Sequence, residues 1–142
     1  MSDSLDKTIL AVDYGRRRIG LAKSDPMGII ASALETLEVK SVDDGISKLT
    51  AVLEEYKPST VVIGYPLHSS GDKSEMCEEI DAFIEKLKPF YDGPVYKVDE
   101  HGSSMEAKGL IHAHGKKVGK KKKRVDRLAA VVILQRYMNE IG

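Results

Sequence analysis

Four carboxylates in this 142-residue chain stand at positions from which they could do chemistry. Asp13 follows a short β-prone run, Thr8 to Val12, and opens the turn signal Asp13-Tyr14-Gly15. Asp99 and Glu100 follow a second such run, Val95 to Val98. Asp126 begins a stripe in which Ala129, Ala130, Ile133 and Tyr137 recur at i+3, i+4, i+7 and i+11, the spacing of one helical face. Strand alternation places Ile9, Ala11 and Asp13 on one face of the first strand. An ionised aspartate on a core-facing stripe is costly unless it is paired or bound to a cation. Hard divalent cations prefer oxygen ligands, and ligands of such sheets lie at the carboxyl ends of strands. Ala11, Ala129 and Ala130 are small enough to let the strand and helix backbones approach closely. The same acids have plainer readings: strand-end aspartates satisfy turn amides, and Asp126 could cap a final helix starting near Val125.

Cations flank these acids. Arg17, Arg18 and Lys23 follow Asp13, while Lys120, Lys121, Lys122, Lys123 and Arg124 precede Asp126. The formal net charge is zero, yet residues 1–100 carry 12 Lys+Arg against 19 Asp+Glu and residues 101–142 carry 10 against 3, a net of −7 and +7. Clustered cations create a local field whatever the total, so a polyanionic partner fits this chain. Phosphate backbones need such cations. With 6% aromatic residues and no tryptophan, backbone or shape recognition is expected over base stacking.

The elements that must position these groups can be read from periodicity. Strands are expected at Thr8 to Val12, Arg18 to Ala22 and Gly28 to Val39, with turn chemistry at residues 24–28. A helix follows from about Val42 to Tyr56 with Ser41 as its cap, then a buried strand Thr60 to Gly64 stopped by Pro66. After a polar loop, His68 to Lys73, come a helix over Ser74 to Phe90, the strand Val95 to Val98 and a shorter helix near Met105 to His114. A Gly/Lys loop, Gly115 to Lys123, leads to a last helix over about Val125 to Asn139. Hairpins first and βαβ units afterwards give an α/β fold in one domain, a mixed five-stranded sheet with helices packed on it. No run is long and apolar enough for a membrane span, and the first residues carry no secretory signal, so cytoplasm is the expected compartment. Cys77 is the single cysteine and is expected to pack rather than react. His112 and His114, two apart, make a poor metal pair on a helix, and Tyr65 and Tyr137 are expected at the edges of the core.

The stretch Asp13-Tyr14-Gly15-Arg16-Arg17-Arg18-Ile19-Gly20-Leu21-Ala22-Lys23-Ser24-Asp25 resembles the opening motif of the YqgF (RuvX-like) family. These are RNase H-fold proteins described as Holliday junction resolvases or as nucleases maturing the small-subunit (pre-16S) ribosomal RNA precursor. Three more stretches match in order: Val62 to Leu67, Asp99-Glu100, and Lys122 to Ala130. The resemblance implies an RNase H-like three-layer fold, with an antiparallel strand trio followed by two parallel strands. It implies that Asp13, Glu100 and Asp126 form an acidic triad holding Mg²⁺ or Mn²⁺, with Asp99 as the alternative to Glu100. Alternation agrees with Glu100, which shares a face with Tyr96 and Val98, whereas Asp99 lies with Lys97. The implied partner is nucleic acid, an rRNA precursor or branched DNA, bound by a monomer or homodimer.

Two stretches depart from the family pattern. His101-Gly102 stands where the family has an arginine, exchanging a permanently charged fork for a group mostly neutral at pH 7. The loop after Pro66, Leu67-His68-Ser69-Ser70-Gly71, lacks the usual asparagine. A nucleic-acid-binding paralogue without cleavage is therefore the alternative reading. A phosphotransferase of the actin-like kind would need two such domains, and no Gly-x-x-x-x-Gly-Lys-Ser/Thr loop is present.

Overall fold

The structure, a computed structural model, describes residues 7–66, 74–99 and 118–141, with the side chains of 129–140 alone in the last segment. The expected loop His68 to Lys73 and helix Met105 to His114 lie outside the described residues, as do Glu100, His101 and Gly102. Strands β1 (Ile9–Asp13), β2 (Arg18–Ser24), β3 (Ala31–Ala33), β4 (Leu37–Glu38), β5 (Thr60–Tyr65) and β6 (Val95–Asp99) form one mixed sheet. Its order is β3-β2-β1-β5-β6, with β4 paired to the start of β2. β2 runs antiparallel to β1, β3 and β4, whereas β1, β5 and β6 are parallel. The helices are α1 (Val42–Tyr56), α2 (Glu75–Leu87), continued by a 3₁₀ turn at Lys88–Phe90, and α3 (Val118–Ile141).

The strand count corrects the sequence reading, because the single strand expected over Gly28 to Val39 is two short ones. Ala33 pairs with Ala22 and Leu37 with Ile19, so three residues (34–36) face the two between those partners. The extra residue is a bulge that breaks the ladder. Residues 28–30 belong to the hairpin turn instead. Gly28 takes φ +70°, and Asp25 Oδ1 accepts the Ile29 and Ile30 N–H groups at 2.7 and 2.8 Å.

The helices begin where capping chemistry allows. Ser41 Oγ accepts the Asp44 N–H at 3.1 Å, and Asp44 Oδ2 reaches back to the Lys40 N–H at 2.9 Å. Ser74 caps α2 through the Cys77 N–H. The last helix starts earlier than expected: α3 begins at Val118, so the lysine run read as loop is helical backbone. Unbranched lysine side chains lose little rotamer freedom in a helix, and no proline interrupts the stretch. Asp126 therefore lies inside α3 and is not its cap.

The two faces of the sheet are built differently. On one, Leu10, Val12, Ile19, Leu21, Val61 and Ile63 pack against Ile46, Leu49 and Leu53 of α1 and Ile80, Phe83 and Leu87 of α2. On the other, Ile9, Ala11, Ala22, Val62 and Val98 receive Ala130, Ile133 and Leu134 of α3, with Tyr137 packed alongside. These are the three layers and the α3 stripe expected from the sequence. Small side chains on the second face let α3 lie close across β1 and β2.

The carboxyl ends of β5 and β6 are tied to α2. Tyr65 Oη donates to Asp81 Oδ2 at 2.9 Å, Lys97 Nζ lies 2.7 Å from Asp81 Oδ1, and the same ammonium sits 4.8 Å from the centroid of the Tyr65 ring. Cys77 is fully buried, as a packing residue should be.

Two outcomes follow. Ala11→Leu should lower the free energy of unfolding in urea by about 1–3 kcal/mol, because Ala11 and Ala130 are both 0% exposed and an added isobutyl group must lift α3. The hairpin should show an acid dependence. Backbone N–H groups of Ile30 and Ile29 hold the Asp25 carboxyl below its usual range. A depressed folded pKa contributes stability above the unfolded value of about 4, lost as pH falls through the folded one. The gap in denaturation midpoint between wild type and Asp25→Ala should be widest near neutral pH and close in acid.

Candidate functional site

Asp13 is the last residue of β1, half-buried, on the α3 side of the sheet with Ile9 and Ala11. Its register partner on β2 is Gly20. On β5, Val12 pairs with Ile63, so the next position, Gly64, lies on the other side of Asp13, and Gly64 pairs in turn with Val98 of β6. Gly20 and Gly64 are both buried. Side chains at these neighbouring positions would stand about 5 Å from the Asp13 Cβ on the same face. With hydrogen there instead, neither neighbour puts a Cβ beside the Asp13 carboxylate at the carboxyl end of the parallel strands. A cradle free of Cβ atoms beside a hard oxygen donor fits a divalent cation.

The turn that follows is fixed to α2. Tyr14 packs on Phe83 with ring centroids 4.9 Å apart. The Arg16 guanidinium pairs with Glu79, its Nε 3.0 and 2.9 Å from the two carboxylate oxygens. That guanidinium holds the Glu79 carboxyl below the usual range, while burial is the main cause that raises the Tyr14 phenol. Gly15 allows the tight path: a Cβ there would lie 2.5 Å from the Arg18 carbonyl oxygen.

The structure brings some of the sequence-named residues together and separates others. Arg17 and Arg18 lie in the turn that leads from Asp13 into β2, Arg17 exposed and Arg18 opening β2 opposite Glu38. Lys23 does not join them. It pairs in register with Leu10, about 10 Å down the strand from Gly20, and its ammonium lies 5.6 Å from the Tyr56 ring of α1, on the far face. Asp99 also departs from Asp13. Along β6, Val98 belongs to the α3-side cluster and Tyr96 stacks on Tyr137 at 5.8 Å, whereas Lys97 turns to Asp81 of α2. Alternation therefore assigns Asp99 to the α2 side, and its carbonyl accepts from Arg136 Nη1 at 3.1 Å.

Glu100 and His101, and the side chains of Asp126 and of Lys120, Lys121, Lys122, Lys123 and Arg124, lie outside the described residues. Among the described residues no three His, Cys, Asp or Glu side chains converge. The backbone of Asp126 is nonetheless in the helix laid over the Asp13 face, one turn before the buried Ala129 and Ala130. Two features escaped the sequence reading. The glycines at 20 and 64 gain meaning only from register, and Lys40 and Lys48 reach the arginine turn from a separate element. Among the described residues no helix is long and apolar enough to cross a membrane.

The chain is similar to known proteins along nearly its whole length. Residues 7–140 match the model of a family described as "RuvX: Holliday junction resolvase". A relative from Chlorobium phaeobacteroides is 40% identical over 139 residues, covering 96% of this chain and 94% of its own. One from Dictyoglomus turgidum is 35% identical over 134 residues, covering 94% and 95%. Both carry the name "Putative pre-16S rRNA nuclease". Among solved structures, Thermus thermophilus RuvC bound to a Holliday junction superposes with a TM-score of 0.60 at 15% identity, covering 95% of this chain and 96% of that one. The fowlpox virus Holliday junction resolvase gives 0.56 at 18% identity, covering 94% and 99%. At these identities the two resolvases establish the RNase H-like fold alone. The match along residues 7–140 and the two full-length relatives go further: this chain belongs to the RuvX family of nucleases.

Proposed function

We propose that this chain is a divalent-metal-dependent phosphodiester hydrolase of structured nucleic acid, with the small-subunit ribosomal RNA precursor as its first substrate and branched DNA as the second. The observation that carries the reading is Asp13 between two buried glycines, on the sheet face against which the helix containing Asp126 packs. The relatives named for precursor rRNA are 35% and 40% identical, whereas the junction-cutting neighbours share only the fold, so RNA comes first.

In this reading Asp13, Glu100 and Asp126 hold Mg²⁺ or Mn²⁺, an all-carboxylate set suited to hard cations. Such an ion, when bound, supplies Lewis-acid polarisation of a phosphoryl oxygen and an acidified water. The chain's own part is positional. Arg17 and Arg18 meet the phosphate beside Asp13, held there by the anchored turn. His101 and the cations Lys120 to Arg124, in the first turns of α3 and the segment before it, take neighbouring phosphates. A monomer suffices for RNA, while symmetric cutting of a junction asks for a two-fold dimer. Cytoplasm is where such a precursor would be met.

Cleavage of a precursor rRNA fragment and a four-way DNA junction with Mg²⁺ or Mn²⁺ tests the reading. Asp13→Asn should cut at least about 100-fold more slowly, since losing even a residue that supports a metal ligand costs about 10–100-fold. Equal rates for wild type and variant would place the activity elsewhere. A second comparison separates the two strand-end acids. Glu100→Gln should fall as Asp13→Asn does, and Asp99→Asn should stay near wild type; the reverse order would put Asp99 in the site.

A further inference from the structure

The fold assembles a basic trough that no single stretch of sequence announces. The Val39 N–H donates to the Arg17 carbonyl at 2.9 Å, and Glu38 pairs with Arg18, so the arginine turn and β4 lie edge to edge. Lys40 follows directly, its backbone held by Asp44, and Lys48 projects from the next turn of α1 with Nζ 3.3 Å from Asp44. Five of the seven lining residues are cationic (Arg16, Arg17, Arg18, Lys40 and Lys48) against the single acid Glu38. Arg16 is engaged with Glu79 and Lys48 with Asp44, while Arg17 and Lys40 are exposed. The trough encloses about 760 Å³, within the size range of small-molecule pockets, but those are lined mainly by apolar side chains. Cationic walls suit a polyanion. The trough begins at Arg16, three residues after Asp13 in the sequence and at the same end of β1.

We infer that this trough, through Lys40 and Lys48, carries the phosphodiester backbone of the nucleic acid onward from Asp13 towards the start of α1. The inference rests on the nucleic-acid reading above and adds a second contact surface to it. Its occupant is a continuous backbone, bound by charge without reading sequence. Each phosphate neutralised releases counterions and steepens the dependence of affinity on salt, by about 0.7 for a single strand and about 0.9 for a duplex in the log–log slope.

The test is equilibrium binding by fluorescence anisotropy across a salt series, with a labelled RNA hairpin and a labelled four-way DNA junction. Wild type, Lys40→Gln, Lys40→Gln/Lys48→Gln and, as a control on α2 outside the trough, Lys86→Gln are compared. Lys40 is exposed, so the single variant keeps the measurement sound if loss of the Lys48–Asp44 pair disturbs α1. The slope should become shallower by about 0.7–0.9 in the single variant and about twice that in the double, with Lys86→Gln unchanged. If wild type binds but the trough variants keep its slope, this inference alone fails. If wild type shows no salt-dependent binding, the nucleic-acid reading fails with it. If Lys86→Gln flattens the slope as much as Lys40→Gln, a diffuse field rather than the trough is responsible and the inference is overturned.

Discussion

Close approach of α3 to the sheet is the constraint on which the rest of the molecule depends. Alanines at 11, 22 and 130 and glycines at 20 and 64 give the helix room to lie near, among the larger Ile9, Val62, Val98, Ile133 and Leu134. Burying a large aliphatic side chain is worth about 1.5–3 kcal/mol, so the alanines of this face contribute less stability than larger residues would. The opposite face compensates. Leucines, isoleucines and Phe83 fill the layer between the sheet and α1 and α2. The division of labour is physical: one interface is built for apolar volume, the other for proximity.

Proximity is what the proposed carboxylate site requires. Asp13 ends β1 on the sheet face against which α3 packs. In the proposed reading, flanking side chains of ordinary size would crowd the position a cation needs beside Asp13. The anchored turn then determines where positive charge begins. Tyr14 against Phe83 and Arg16 against Glu79 bind residues 14–18 to α2, and the surface pair needs no great strength of its own because the buried ring contact accompanies it. Arg17 and Arg18 project from a turn that is itself held in place. A chain of zero net charge thereby presents a cationic surface beside a carboxylate, and local arrangement rather than the total sets the field a polyanion meets.

Membership of the RuvX family and likeness to RuvC bear on different levels. Identities of 35% and 40% along nearly the whole chain join this protein to its family, while 15% identity with RuvC is a likeness of scaffold. Scaffolds of this kind serve several chemistries. What distinguishes this chain within the scaffold is its own residues, the glycine-flanked Asp13 and the helix carrying Asp126.

Much was legible in the sequence, for reasons that are local. The alternation of Ile9, Ala11 and Asp13 and the stripe Ala129, Ala130, Ile133 and Tyr137 specify which faces are buried, and both appear as read. Ser41 is a cap because a serine hydroxyl before an acidic first turn satisfies free amides, a matter of a few neighbouring atoms. The break at residues 34–36 was not legible, since a bulge arises from the register of two paired strands and leaves no mark in one. The start of α3 at Val118 was missed because a lysine run satisfies a solvated loop and a helix equally well by composition. Lys23 looked like a neighbour of Asp13 from ten residues away in sequence, yet strand direction and pleat carry it to the far face. The sequence by itself determined the buried faces and the Ser41 cap, both of them short-range properties. Only the tertiary structure decided that glycines flank Asp13 and that Lys40 and Lys48 join the arginine turn, because those neighbours come from different strands and are brought together by pairing across the sheet.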